Sequence, residues 1–257
     1  MTSYKSMSDK PSVRSPWFWV PSLYFAQGIP YVAVMIVSVL MYKRLGVSNT
    51  DIALYTSWLN LPWVIKPFWS PFVDLLKTKR WWVVTMQLLI GAGLAGVAFT
   101  IPTTFFFQAS LAVFWLLAFS SATHDIAADG FYMLALDSHE QAFFVGIRST
   151  FYRIAIIAGQ GVLVMFAGFL ENSTGNIPLA WSVTFFILGG LFLALFLYHR
   201  YILPLPKGDK PSATVTPSTI LKEFFATFAS FSKRNKPLSR FCLCCYTVFR
   251  KPSWLNW

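Results

Sequence analysis

The sequence predicts an all-α integral membrane protein, a six-transmembrane-helix bundle. Three observations predict it. Of 257 residues, 56% are hydrophobic and only 12% charged, against about 25% charged in soluble domains. Six apolar segments are each long enough to cross a hydrocarbon core of about 30 Å. The Lys and Arg residues between those segments gather on one side, as the positive-inside rule expects.

The first fifteen residues are polar and read as a cytoplasmic tail, with no cleavable signal peptide. The expected spans are Trp17–Tyr42, Ile52–Leu76, Trp81–Ile101, Phe105–Leu136, Phe144–Leu170 and Leu179–Leu203. The first carries Gln27-Gly-Ile-Pro30, which is expected to break it midway. Gly and Pro free backbone carbonyls, and transporters place such backbone where it lines a cavity or kinks a helix. The second holds Lys66 between Ile65 and Pro67. Its ammonium either snorkels to the surface or pairs with a buried acid. The third contains Gly91-Ala-Gly-Leu-Ala-Gly96. Its glycine spacing copies a dinucleotide fingerprint, but no strand precedes it, so the small residues read as a helix-packing face. The fourth exceeds one crossing and must project beyond the bilayer. Short loops between spans imply antiparallel neighbours. Bundle residues therefore run from 16 to 203.

With the N-terminus inside, the outer loops hold only Lys43 and Arg44. Lys66, Arg148 and Arg153 fall within or at the edge of spans, and the other sixteen of 21 basic residues lie inside. That asymmetry predicts a multi-pass protein with a cytoplasmic N-terminus. The net charge of +11 is therefore topological. No basic groove with interleaved aromatics exists, so nucleic acid is not an expected partner. The three cysteines, Cys242, Cys244 and Cys245, sit in the tail and form no metal-ligand pattern. No cofactor is expected; the expected partners are the lipid bilayer, protons and a small-molecule substrate.

Asp125 and Asp129 are the most informative residues. They are four apart within the fourth span, so both carboxylates share a helix face. A carboxylate at the bilayer centre costs about 2.5–3.5 kcal/mol on insertion scales. Two on one face argue for a polar interior: a substrate cavity, an ion path or a proton relay. Lys66 is one partner within reach, and Arg153 in the fifth span is a candidate for an anionic substrate or an Asp. Arg148 is expected to anchor at the interface, and His124 to be a packed neighbour. Gln27 joins the candidate pathway. Asp74 precedes the basic group Lys77, Lys79 and Arg80 at the inner end of span two. Asp74, Lys79 and Arg80 read either as a charge latch or as ordinary positive-inside flanking.

These residues together resemble one family. FAQGIPYV, IKPFWSPFVD, SATHDIAADGFYMLAL and GIRSTFYRIAIIAGQG look like AmpG-type muropeptide permeases. That family is a branch of the major facilitator superfamily related to the acetyl-coenzyme A transporters. The resemblance covers about residues 16–203 and implies the N-terminal half of a major facilitator fold. It implies secondary active, proton-coupled import of anhydro-muropeptides across a bacterial inner membrane. It matches Asp125 and Asp129 to the family's span-four acids and Tyr152-Arg153 to a Tyr-Arg pair. His124 stands where that family usually has Gln.

The family carries at least twelve spans, and six are expected here, so the chain has half a cavity and is expected to transport nothing alone. Residues 204–240 read as a cytoplasmic linker with an amphipathic helix at Thr219–Phe231. Residues 241–257 read as the product of a shifted frame. One permitted coding of Phe241–Trp257, read from its third base, gives LPLLLYRFPEAQLAKL, with four leucines forced by the code. The alternatives are a subunit completed by a partner chain, or a related permease for another substrate such as acetyl-coenzyme A. A membrane aspartyl protease is disfavoured: its two acids lie on different helices, and no GxGD run occurs. The chain is not expected to be an enzyme.

Overall fold

Prolines mark the helix starts where the second expected span is interrupted. A computed structural model describes residues 15–206 and 208–209, which lie in one compact unit. The expected amphipathic helix and the segment 241–257 fall outside the described residues. Five continuous helical runs are long and apolar enough to cross a membrane: Pro16–Arg44, Lys79–Thr100, Phe106–Ala135, Ser138–Thr174 and Ile177–Ile202. No strand occurs among the described residues.

The first run joins α1 (Val20–Val32) to α2 (Ser38–Arg44) through a π-helical turn at Ala33–Val37. Pro30 therefore does not break the span as expected. It lies inside α1, and the irregularity, a π-helical turn, appears about one turn later. The second expected span is the one that breaks. It forms α3 (Asn49–Thr56), a 3₁₀ turn at Ser57–Asn60, α4 (Leu61–Val64) and α5 (Lys66–Leu76). Pro62 and Pro67 sit at the first turns of α4 and α5, where a missing N–H costs nothing.

The remaining runs follow their capping chemistry. Thr78 caps α6 (Lys79–Thr100) by accepting from the Trp81 N–H at 3.1 Å. α7 (Phe106–Ala135) has 30 residues, about 45 Å at 1.5 Å per residue, so it does exceed one crossing. A capping box between Asp137 and Glu140 starts α8 (Ser138–Ala158). A second π turn, Gly159–Leu163, leads into α9 (Val164–Thr174), and left-handed Gly175 ends it. Asn176 caps α10 (Ile177–Ile202).

Two apolar clusters divide the bundle along its length. One gathers Tyr42, Leu94, Phe114, Phe185 and Phe192; the other gathers Trp19, Val83, Phe131, Tyr132 and Leu203. Small residues let the helices close. A Cβ at Gly28 would lie 2.7 Å from the Ala155 Cβ, and one at Gly159 would lie 2.6 Å from a Val32 methyl. So α1 and α8 touch nearly backbone to backbone. Gly91 meets Phe192 and the Gly189 carbonyl, which confirms that its glycine run packs helices. On the end opposite α6's start, Arg44 chelates Glu171, which also accepts from the Trp181 indole at 2.7 Å. This clamp ties α2, α9 and α10 together.

Candidate functional site

α7 carries both acids, and their environments differ. Asp125 is buried, and Lys66 donates to its Oδ2 at 2.5 Å. Lys66 is the first residue of α5, directly after the break at Ile65. The break thus delivers an ammonium from one helix end to a carboxylate in the middle of another. Lys66 pairs with the acid rather than snorkelling.

Asp129, one turn on, is about half exposed. Its Oδ1 accepts the Tyr24 hydroxyl at 2.9 Å and lies 3.5 Å from Arg148 Nη1. Arg148 also donates to the Tyr24 oxygen at 3.1 Å. Its guanidinium lies 5.0 Å from the Tyr24 ring centroid and 5.1 Å from that of Tyr132, a cation–π arrangement. These groups border a cavity of about 620 Å³ between α1, α7 and α8, which Gln27, Tyr152 and Arg153 also line. Arg153 has no carboxylate partner among the described residues. The cavity wall thus holds one carboxylate and two guanidiniums. Gln27 is buried, and its Oε1 has no hydrogen-bond partner.

Three of the five expected pathway residues, Gln27, Asp129 and Arg153, therefore line one cavity, and the other two, Asp125 and Lys66, pair with each other one turn along α7 from Asp129. Arg148 is a correction. It was expected at the interface, but it turns inward because Asp129 and two aromatic faces hold it. Tyr24 was missed, although it lies three residues before Gln27 on the same face of α1. Arg148 could have been read the same way, since α8 brings it and Tyr152 one turn apart to one cavity.

Behind Asp125 lies a second polar group that the sequence did not announce. Gln87 on α6 bonds His124 at 3.1 Å through its amide nitrogen and His199 at 3.0 Å through its amide oxygen. His199 in turn lies 3.0 Å from the Ser22 hydroxyl. This chain links α7, α6, α10 and α1 where the two apolar clusters meet. His124 is a packed neighbour, as expected, and both histidines are fully buried.

At the α5–α6 connection, Asp74 and Lys79 form an ion pair. Lys79 is mostly buried, and its stem lies over Gly130, where a Cβ would come within 2.9 Å of Cε. The pair thus abuts α7 one residue beyond Asp129. Arg80 does not join Asp74. It donates to the Leu203 carbonyl at 3.3 Å and to the Arg200 carbonyl, tying α6 to the end of α10.

Comparison with known proteins gives a consistent result. The BT1 family matches residues 25–251. A Rickettsia conorii protein bearing the name transporter AmpG 4 is 29% identical over 65% of this chain and 40% of its own length. The anhydromuropeptide permease of Escherichia coli K12 is 24% identical over 82% of this chain and 41% of its own length. A Schizosaccharomyces pombe protein is 28% identical over 51% of this chain. The chain spans about 40% of the length of the two bacterial relatives.

Proposed function

The chain belongs to the BT1 family, and from that premise we propose that it is one half of a proton-coupled permease for anhydro-muropeptides. The observation that carries this reading is the Asp129–Arg148 contact inside a cavity that also holds Arg153. A muropeptide presents carboxylates on its peptide and hydroxyls on its sugars. Arg153 is placed to receive a carboxylate, and Tyr24, Gln27 and Tyr152 offer hydrogen bonds to hydroxyls. Arg148 is shared. While Asp129 is ionised, it holds Arg148. When Asp129 takes a proton, its charge is lost and Arg148 is released to the substrate anion. Proton and anion then bind together, which is the linkage a symporter needs. Asp125, closed by Lys66, holds α7 to α5 and sets the position of Asp129 one turn away.

In this reading Asp74, Lys79 and Arg80 act as a latch. Lys79 touches α7 beside Asp129, so rearrangement at the latch reaches the cavity wall. The Lys and Arg distribution supports a cytoplasmic N-terminus in a bacterial inner membrane. A facilitator binds substrate between two helical halves, so a companion set of spans completes the cavity. We assign that set either to a corrected reading frame after codon 240 or to a separate chain. An anionic substrate with phosphates, such as acetyl-coenzyme A, fits two guanidiniums equally well.

The test is uptake of labelled anhydro-muropeptide by cells expressing this chain alone or with a companion half. Uptake with the companion alone supports the reading. Robust uptake by the 257-residue chain alone overturns the half-cavity. Competition by acetyl-coenzyme A decides the substrate. Sequencing the DNA past codon 240 decides the frame; a single frame continuous through residue 251, where the family match ends, removes the frame change.

A further inference from the structure

A second cavity, of about 530 Å³, lies between the start of α6 and the end of α10, away from Asp129. Its lining changes character along its length. At the helix ends stand two cations, Arg80 and Arg200, with Trp81 and Tyr201 beside them. Farther along α6 and α10 the wall becomes apolar, with Leu88 and Phe196. Trp81 is 44% exposed and Tyr201 69%, as expected for aromatic side chains at a membrane–water boundary. Arg200 is exposed and makes no ion pair among the described residues. Asp209, the one carboxylate lining the groove among the described residues, is already engaged: it accepts from the backbone N–H of Lys79 at 2.6 Å and of Arg80 at 3.0 Å.

We propose that this groove holds an anionic phospholipid from the bilayer, its headgroup phosphate on Arg200 and one acyl chain along Leu88 and Phe196. Three features fit that occupant. The cationic end sits at the boundary, where α6 begins and α10 ends. The apolar end runs toward the hydrocarbon. Trp81 and Tyr201 flank the two cations, at the depth where aromatic side chains collect at a bilayer boundary. Basic pockets between transmembrane helices on the cytoplasmic side select anionic headgroups in this way. A lipid here would also bear on the latch, because Arg80 bonds the α10 carbonyls and its neighbour Lys79 pairs with Asp74. The proposal is independent of the transported substrate.

The experiment is native mass spectrometry of the full 257-residue chain with phosphatidylglycerol and phosphatidylcholine in competition. The wild type should retain phosphatidylglycerol preferentially. Arg200→Gln should retain it about fivefold less, near the share of one interfacial basic residue. Arg200→Lys should recover most of it. Lys43→Gln, which removes one charge at the opposite end, should change nothing. Equal retention of the two lipids by the wild type would overturn the proposal even if a variant fails to fold. So would unchanged phosphatidylglycerol retention in Arg200→Gln, or displacement of the lipid by millimolar inorganic phosphate, which would mark a free-anion site.

Discussion

Asp125 and Asp129 stand one turn apart on α7 yet answer to different partners. Asp125 is closed over by Lys66 at 2.5 Å, whereas Asp129 stays half exposed under Tyr24 and Arg148. One face of one helix therefore carries a structural acid and an accessible one.

The closed acid predicts a stability effect. Lys66→Met leaves the Asp125 carboxylate buried without its ion pair. Breaking one side of a buried pair costs about 3–5 kcal/mol. The thermal unfolding temperature of the purified protein should fall sharply. Adding Asp125→Asn to Lys66→Met should restore much of it, because a neutral amide needs no counter-ion. A double variant no more stable than Lys66→Met would show that the pair is not the unit of stability.

The accessible acid predicts a coupling effect. With a companion half present, Asp129→Asn should abolish proton-driven uptake, since an amide cannot load and release a proton. Arg148 is then permanently released, so substrate binding itself should persist. Arg153→Gln should do the reverse: it should weaken binding, by about tenfold or more for one charge-assisted contact, while the pH response remains. Wild-type uptake and unchanged pH dependence in Asp129→Asn would sink the relay role.

Why the bundle was legible and the site only partly so follows from what each depends on. Spans follow from runs of apolar residues, and five of the six expected runs are continuously helical, the second being interrupted at Ser57–Asn60 and at Ile65. The acids stood out because a charge in a hydrocarbon run is costly wherever it points. The interruption of span two was visible only as prolines, and nothing in their spacing said that span two rather than Pro30 would yield. Partner choice was the weakest inference. Arg148 and Arg153 are both arginines near the start of one span, and only the α1–α8 approach shows which one meets Asp129. The Gln87–His124–His199–Ser22 chain joins residues up to 177 positions apart. Gln87 and Ser22 are unremarkable polar residues until the helices bring them together.

That α1–α8 approach carries its own prediction. Gly28→Ala would set a Cβ 2.7 Å from the Ala155 Cβ and 2.9 Å from the Tyr152 carbonyl. Backbone cannot yield as a side-chain tip does, so α8 must move. Overpacking of this kind costs about 1–3 kcal/mol. The shift also moves Tyr152 and Arg153 in the cavity wall, so Gly28→Ala should lower both stability and substrate affinity. Gly146→Ala on α8 meets nothing within 4 Å and should be silent in both assays. Equal behaviour of the two variants would remove the close approach from the account.

The clamp at the far end makes a prediction about topology. Arg44 holds Glu171, so the α2–α3 connection and the end of α9 must share one side of the membrane. Thr50→Cys and Ser173→Cys, both exposed positions, should therefore label alike with a membrane-impermeant thiol reagent, after Cys242, Cys244 and Cys245 are replaced by Ser. Gly175 is a poorer site because its φ of +64° strains any side chain. The positive-inside distribution predicts that both label from outside intact cells. Labelling of neither would reverse the orientation, whereas labelling of one alone would contradict the clamp, since two residues that its ion pair brings together cannot lie on opposite faces.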